Sequence, residues 1–167
     1  MNTEKAPFVA MAKPVGSKCN LRCGYCYYLG TDERIDNGCA AVMDDETLDC
    51  FIRRYIGEST GPAVSFTWHG GEPTLAGLDF FRTAVALQKK HNRKGLRLHN
   101  AIQTNGLLLD ESWAAFFREH NFLVGISLDG VKDTHDHNRL DGRGEGTFNR
   151  VMESIRLLES YGVEYNV

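Results

Sequence analysis

The stretch from Lys18 to Gly30, KCNLRCGYCYYLG, sets three cysteines, Cys19, Cys23 and Cys26, at spacing C-x3-C-x2-C. An odd number of thiols cannot pair internally. The spacers Asn20, Arg22 and Gly24 are polar or small rather than core-forming. The triplet therefore reads as a ligand set, because thiolates are soft donors that suit zinc or iron-sulfur clusters. A structural zinc site closes with four ligands, whereas three cysteines on a four-iron cluster leave one iron open to an outside ligand, and that arrangement predicts chemistry. The spacing alone also admits a zinc site completed by Cys39 or His69, or three unconnected thiols.

Outward from the triplet, strands alternate with helices. Phe8 to Val15 reads as a first strand ending at Pro14 and Gly16, and Ser17 to about Met43 as a long loop of the kind that carries a site. Asp44 caps a first helix in which Leu48, Phe51, Ile52, Tyr55 and Ile56 share one face and Gly57 closes the end. Cys50 falls on that apolar face. Ala63 to Trp68 alternates as a strand, and a helix follows from Leu78 to Lys90. Lys89, Lys90, Arg93 and Lys94 complement the dipole at its C-terminal end. Leu96 to Gln103 forms a third strand, Asp110 caps a helix bearing Trp113, Phe116 and Phe117, and Phe122 to Leu128 forms a fourth strand. After a polar loop, Thr147 caps a helix striped by Phe148, Val151, Met152, Ile155 and Leu158, and Val163 to Val167 begins a fifth strand. This rhythm implies βαβ units and a parallel sheet, an α/β fold.

In a parallel β/α barrel, functional groups gather at the C-terminal strand ends. Here those ends carry the three cysteines, then Gly70, Gly71 and Glu72, then Gln103 and Asn105, then Ser127 and Asp129. Each has a plain structural reading: a Gly-Gly turn, a strand cap at Gln103, an Asp-Gly turn after Ser127. Their joint placement favours a polar ligand, with glycines allowing close approach and Glu72 accepting from an ammonium group. His135, Asp136 and Arg139 form an HD-x2-R segment whose plain structural reading is a local cap at Asp136 and a surface arginine.

The cysteine triplet followed by aromatics, together with GGEP, resembles the cluster motif of the radical S-adenosylmethionine enzymes. CNLRCGYCYY, TWHGGEPTL, QTNG, SLDG, HDHNR and GTFNRVM resemble most closely the anaerobic sulfatase-maturating branch. The resemblance implies a partial (β/α) barrel, here its first four βα units and the start of the fifth strand, with residues 1–167 as a truncated core domain lacking the C-terminal auxiliary-cluster domain. It implies a 4Fe-4S cluster on Cys19, Cys23 and Cys26, and S-adenosyl-L-methionine bound by Gly70, Gly71 and Glu72 at its amino group. Arg139 would reach its carboxylate, with Ser127, Asp129 and Gln103 near the ribose and methionine end. Of the neighbouring tyrosines, Tyr25 would pack on the adenine and Tyr28 line the substrate cavity, with core packing as the alternative. The implied activity is reductive cleavage to a 5'-deoxyadenosyl radical and hydrogen abstraction from a sulfatase Cys or Ser, giving Cα-formylglycine. A reduced flavodoxin or ferredoxin-type donor would supply electrons. A peptide maturase that crosslinks or epimerises, or a non-catalytic metal-binding remnant, are the other readings. The base and auxiliary clusters of the family would lie beyond this chain.

Composition sets outer limits. A net charge of -3 with mixed signs offers no basic footprint for nucleic acid, and no long apolar run offers a membrane span. The start, MNTEKAPFVAMAKPVG, has neither a signal nor a transit pattern, so a cytoplasmic protein with reduced or metal-bound thiols is expected. His91, His99 and His120 read as surface or structural.

Overall fold

The computed structural model describes residues 8–29 and 42–167, so Cys39 lies outside the described residues. Strands β1 (Ala10–Ala12), β2 (Ala63–Trp68), β3 (Arg97–Thr104), β4 (Phe122–Ile126) and β5 (Tyr165–Asn166) form one open, fully parallel sheet in sequential order. Helices α1 (Asp45–Glu58), α2 (Leu78–His91), α3 (Glu111–Glu119), α4 (Lys132–Asn138) and α5 (Phe148–Ser160) connect them, with a 3-10 turn at Pro73–Ala76 before α2. Among the described residues no helix is long and apolar enough to cross a membrane.

The alternation of β2, β3 and β4 determines which sheet face meets the helices. Val64, Phe66 and Trp68, then Ile102, then Phe122, Val124 and Ile126 are buried on that face. In-register pairing lines up Ala12, Trp68, Ile102, Val124 and Tyr165 in one row. The helices return Leu48, Ile52, Phe81, Phe117, Val151 and Leu158, all essentially inaccessible. Each such side chain contributes about 1.5–3 kcal/mol by leaving water. Trp68 meets Phe80 and Phe81 edge-on at 5.9 and 5.6 Å.

Caps follow local chemistry. Asp44 accepts from Thr47 N–H at 2.7 Å and Asp110 from Trp113 N–H at 3.0 Å. Several boundaries differ from the sequence reading. Strand β1 is only three residues long, because the chain turns from Lys13 through Ser17 with Gly16 N–H donating to Lys13 C=O. Helix α1 passes Gly57 and ends at Glu58. Cys50 is half-buried beside Arg53 rather than in the core. Lys94, assigned from sequence to its own helix end, instead donates to the Gly57 and Ser59 carbonyls at the end of α1. The polar loop after β4 contains α4, whose KDTHDHN has no apolar periodicity to announce it. At α5 the Thr147 side chain does not cap; the Asp136 carboxylate accepts from Phe148 N–H at 2.8 Å in its place.

One polar cluster lies inside the apolar layer. Asn100 Oδ1 accepts from Trp68 Nε1 and Gln88 Nε2, and its Nδ2 donates to Gln88 Oε1, all at 2.9 Å. Asn100→Leu strands buried donors on Trp68 and Gln88, so urea unfolding should show a loss on the order of 3 kcal/mol.

Candidate active site at the C-terminal edge of the sheet

The cysteine loop leaves β1 and is held on two sides by backbone hydrogen bonds. Toward β2, Gly71 N–H donates to Gly16 C=O at 2.9 Å and Glu72 N–H to Lys18 C=O at 2.8 Å. Toward the segment after α4, Arg22 N–H donates to Leu140 C=O and Gly24 N–H to Asn138 C=O, both at 2.8 Å, and Leu21 bridges Asp141. This contact is why Gly70 and Gly71 are glycines. Gly70 has φ of +116°, and a Cβ there would stand 2.7 Å from Gly16 O; a Cβ on Gly71 would run into the Ser17 and Lys18 carbonyls. The sequence reading explains the pair by close approach of a ligand, whereas the space a Cβ would need is taken by the cysteine loop; both glycines still line the cavity beside the three cysteines.

Glu72 also differs from its expected role. Its side chain turns inward, 1% exposed. Oε1 accepts from Thr74 N–H at 3.0 Å, Thr74 Oγ1 at 2.6 Å and Thr104 Oγ1 at 2.7 Å, and Oε2 from Asn105 N–H at 2.7 Å. Burial pushes its carboxyl above the ordinary range, and these donors offset only part of that rise. The carboxylate ties β2 to β3 rather than facing a ligand.

Cys19, Cys23 and Cys26 line one cavity of about 190 Å³ with Tyr25, Tyr28, His69, Gly70, Gly71, Asn105 and Arg139. The topology thus brings together groups from the ends of three strands and the loop after the fourth. Among the described residues no three His, Cys, Asp or Glu side chains converge to hold one metal ion. The thiols surround a space instead, and a cubane, which takes each thiolate on a different iron, fits such a donor set. Cys19 Sγ accepts from Leu21 N–H at 3.4 Å and faces Asn105 Nδ2 at 3.8 Å. Desolvation pushes the Cys19 thiol up although the residue reaches the surface, with Leu21 N–H opposing. Burial also raises Cys23, and the Arg139 guanidinium lowers it.

Tyr25, Asp129 and Arg139 meet. Tyr25 Oη donates to Asp129 Oδ2 at 2.7 Å, Arg139 Nε to Asp129 Oδ1 at 2.8 Å, and the guanidinium sits 5.5 Å over the Tyr25 ring. Desolvation and the Asp129 hydrogen bond push the Tyr25 hydroxyl up to about 12. Gln103 Nε2 donates to Ser127 Oγ at 3.1 Å, above Gly125, where a Cβ would strike Gln103. This pair is outside the cysteine cavity. Tyr28 lines the cavity with its ring beside Tyr27 at 4.1 Å and under Lys13. His69 is the lining residue that sequence reasoning gave only to a zinc site. Its Nδ1 accepts from Gly70 N–H at 2.7 Å, which leaves the proton on Nε2. Its position directly before the glycine pair was the available signal.

Gly71→Ala must displace the cysteine loop, an overpacking cost of about 1–3 kcal/mol. Iron retained after anaerobic reconstitution should fall several-fold while far-ultraviolet circular dichroism is preserved. For Asp129, burial acts upward, but the Tyr25 and Arg139 hydrogen bonds outweigh it and hold the carboxyl below 3.8. A depressed folded value stabilises above the unfolded value and is lost as pH falls through the folded one. Asp129→Asn should therefore lower the urea midpoint at neutral pH and converge with the parent in acid below 3.8.

The profile of the Radical SAM superfamily matches residues 14–167. The serine-type anaerobic sulfatase-maturating enzyme of Bacteroides thetaiotaomicron is 48% identical over 160 residues, covering 96% of this chain and 38% of that protein. The cysteine-type anaerobic sulfatase-maturating enzyme of Clostridium perfringens is 45% identical over 161 residues, covering 96% and 43%. A solved structure of native anSMEcpe with bound AdoMet and Cp18Cys peptide aligns with TM-score 0.87 at 45% identity, over 96% of this chain and 42% of that one. The chain spans less than half the length of these relatives. With an open parallel sheet, a three-cysteine cavity at its C-terminal edge and a profile match over most of its length, the chain belongs to the radical S-adenosylmethionine superfamily.

Proposed function

We propose that this chain is the radical-generating part of an enzyme that oxidises a Cys or Ser side chain of a sulfatase, or of a similar peptide, to Cα-formylglycine. The observation that carries this reading is the gathering of Cys19, Cys23, Cys26 and Arg139 on one cavity at the strand ends. The names of relatives that share over 40% of its residues give the substrate class. The superfamily's cofactors are a 4Fe-4S cluster and S-adenosyl-L-methionine. When bound, they supply one-electron reductive cleavage of S-adenosylmethionine and hydrogen abstraction from the substrate.

The three thiols would hold three irons of the cluster. Gly70 and Gly71 would lie against the amino group, with Glu72 fixing that segment from behind. Arg139, oriented by Asp129 through Nε, offers a guanidinium to the carboxylate. Tyr25 presents a half-exposed ring to the adenine. Ser127, Asp129 and Gln103 serve the ribose and methionine end, and Tyr28 the substrate side. The chain would form the first four βα units and the start of the fifth strand of the core domain, with the base and auxiliary clusters to be sought outside it. A reduced flavodoxin or ferredoxin-type protein would deliver electrons in the cytoplasm.

Anaerobic iron-sulfide reconstitution should give iron-sulfur absorbance rather than bound zinc. Dithionite reduction with S-adenosylmethionine should then yield 5'-deoxyadenosine, and Cys23→Ala should abolish it. Zinc uptake with no iron chromophore would point to a non-catalytic metal module instead.

A further inference from the structure

The cysteine loop is gripped by carbonyls on either side of Arg139, those of Asn138 and Leu140. What fixes that segment is a side chain no role has yet absorbed. His135 is 0% exposed, with both ring nitrogens engaged. Asp129 N–H donates to Nδ1 at 3.3 Å, and Nε2 lies 3.0 Å from Thr147 Oγ1. Since Nδ1 accepts, Nε2 carries the proton and donates to the Thr147 hydroxyl, which donates onward to Arg139 C=O at 2.9 Å. The relay joins the start of the loop, its far end and the main chain of the cavity arginine, each bond polarising the next. The Phe148 ring packs edge-on against the imidazole at 5.7 Å.

We infer that His135 is a positioning residue of the site: as a neutral imidazole protonated on Nε2 it locks Asp129 to Thr147, and through Asn138 and Leu140 it holds the cysteine loop in register with Arg139. No aliphatic residue accepts at one end and donates at the other across a ring's width. An imidazolium would turn Nδ1 into a donor facing another donor. Around the ring, Asp129 and Asp136 favour the charged form while Lys132 and Arg139 oppose it, and burial, the largest influence, keeps the ring neutral. Thr147, spent in this relay, leaves its helix cap to Asp136.

The bearing on catalysis rests on the reading of the cysteine loop as the cluster site; the positioning itself does not, so the test uses the purified metal-free chain. Backbone amide exchange of Arg22 and Gly24 should accelerate about tenfold in His135→Phe, which keeps the ring, and in Thr147→Val, while the β2 and β3 ladder amides stay unchanged. The double variant should be no worse than either single one, and His135→Gln should restore much of the protection. Unaltered Arg22 and Gly24 exchange in both single variants, or a uniform rise that includes the ladder, overturns the inference. Failure of Gln to restore protection overturns the assignment to the ring nitrogens. Should His135→Phe not fold, Thr147→Val carries the test alone. Expected exchange changes in a chain that makes no 5'-deoxyadenosine when reconstituted would leave the positioning intact and remove the proposed function.

Discussion

A carboxylate withdrawn from water holds three strand ends at one spacing. Glu72 follows β2, accepts from Thr104 and Asn105 at the end of β3, and through its own N–H grips Lys18 beyond β1. Burying such a charge is unfavourable by several kcal/mol unless donors replace the lost water. Four donors do so here, two of them backbone N–H groups whose positions the fold already sets. The site geometry is thereby coupled to the sheet: Gly71 cannot move away from the cysteine loop without disturbing the Glu72 tie.

The second constraint is that the cysteine loop has little structure of its own. Among the described residues, two short turns, Cys26 N–H to Cys23 C=O and Leu29 N–H to Cys26 C=O, are its internal bonds between main-chain groups. Further order comes from Gly71 and Glu72 on one side, from Asn138 to Asp141 on the other, and from Asn105, whose Nδ2 donates to Asn20 Oδ1 at 2.7 Å. Desolvation raises the Cys19 and Cys23 thiols, so a metal that takes them as ligands would have to displace their protons. A ligand site built this way is preorganised by distant residues, and its affinity depends on the sheet that brings them near.

The sheet face opposite the helices becomes polar toward its C-terminal end. Gln103, Gly125 and Asn166 stand side by side in register, and Gly125 must lack a side chain because Gln103 and Asn166 meet above it. Gln103 then reaches Ser127, whose N–H extends the ladder to Thr104 C=O. Under the proposed reading the cofactor would lie against this polar end of the sheet.

The sequence by itself determined most of the elements and brought three cysteines forward as candidate ligands. Strand alternation at Ala63 to Trp68, the caps at Asp44 and Asp110, and the C-x3-C-x2-C spacing are local signals, because period, capping and ligand spacing are written in neighbouring residues. Gathering of Gly70, Gly71 and Asn105 with the cysteines was legible because a parallel sheet puts all strand ends on one edge, whereas Arg139 was reached only through the family resemblance. Tertiary structure alone decided where the polar groups point. Glu72 turned inward because Thr104 and Asn105, more than thirty residues later, offered donors. Lys94 capped a helix other than its own, Asp136 displaced Thr147 as a cap, and His135 became buried, each through partners that no local window contains. Helix α4 was invisible because seven polar residues carry no periodicity; contacts with the cysteine loop and α5, not propensity, hold it.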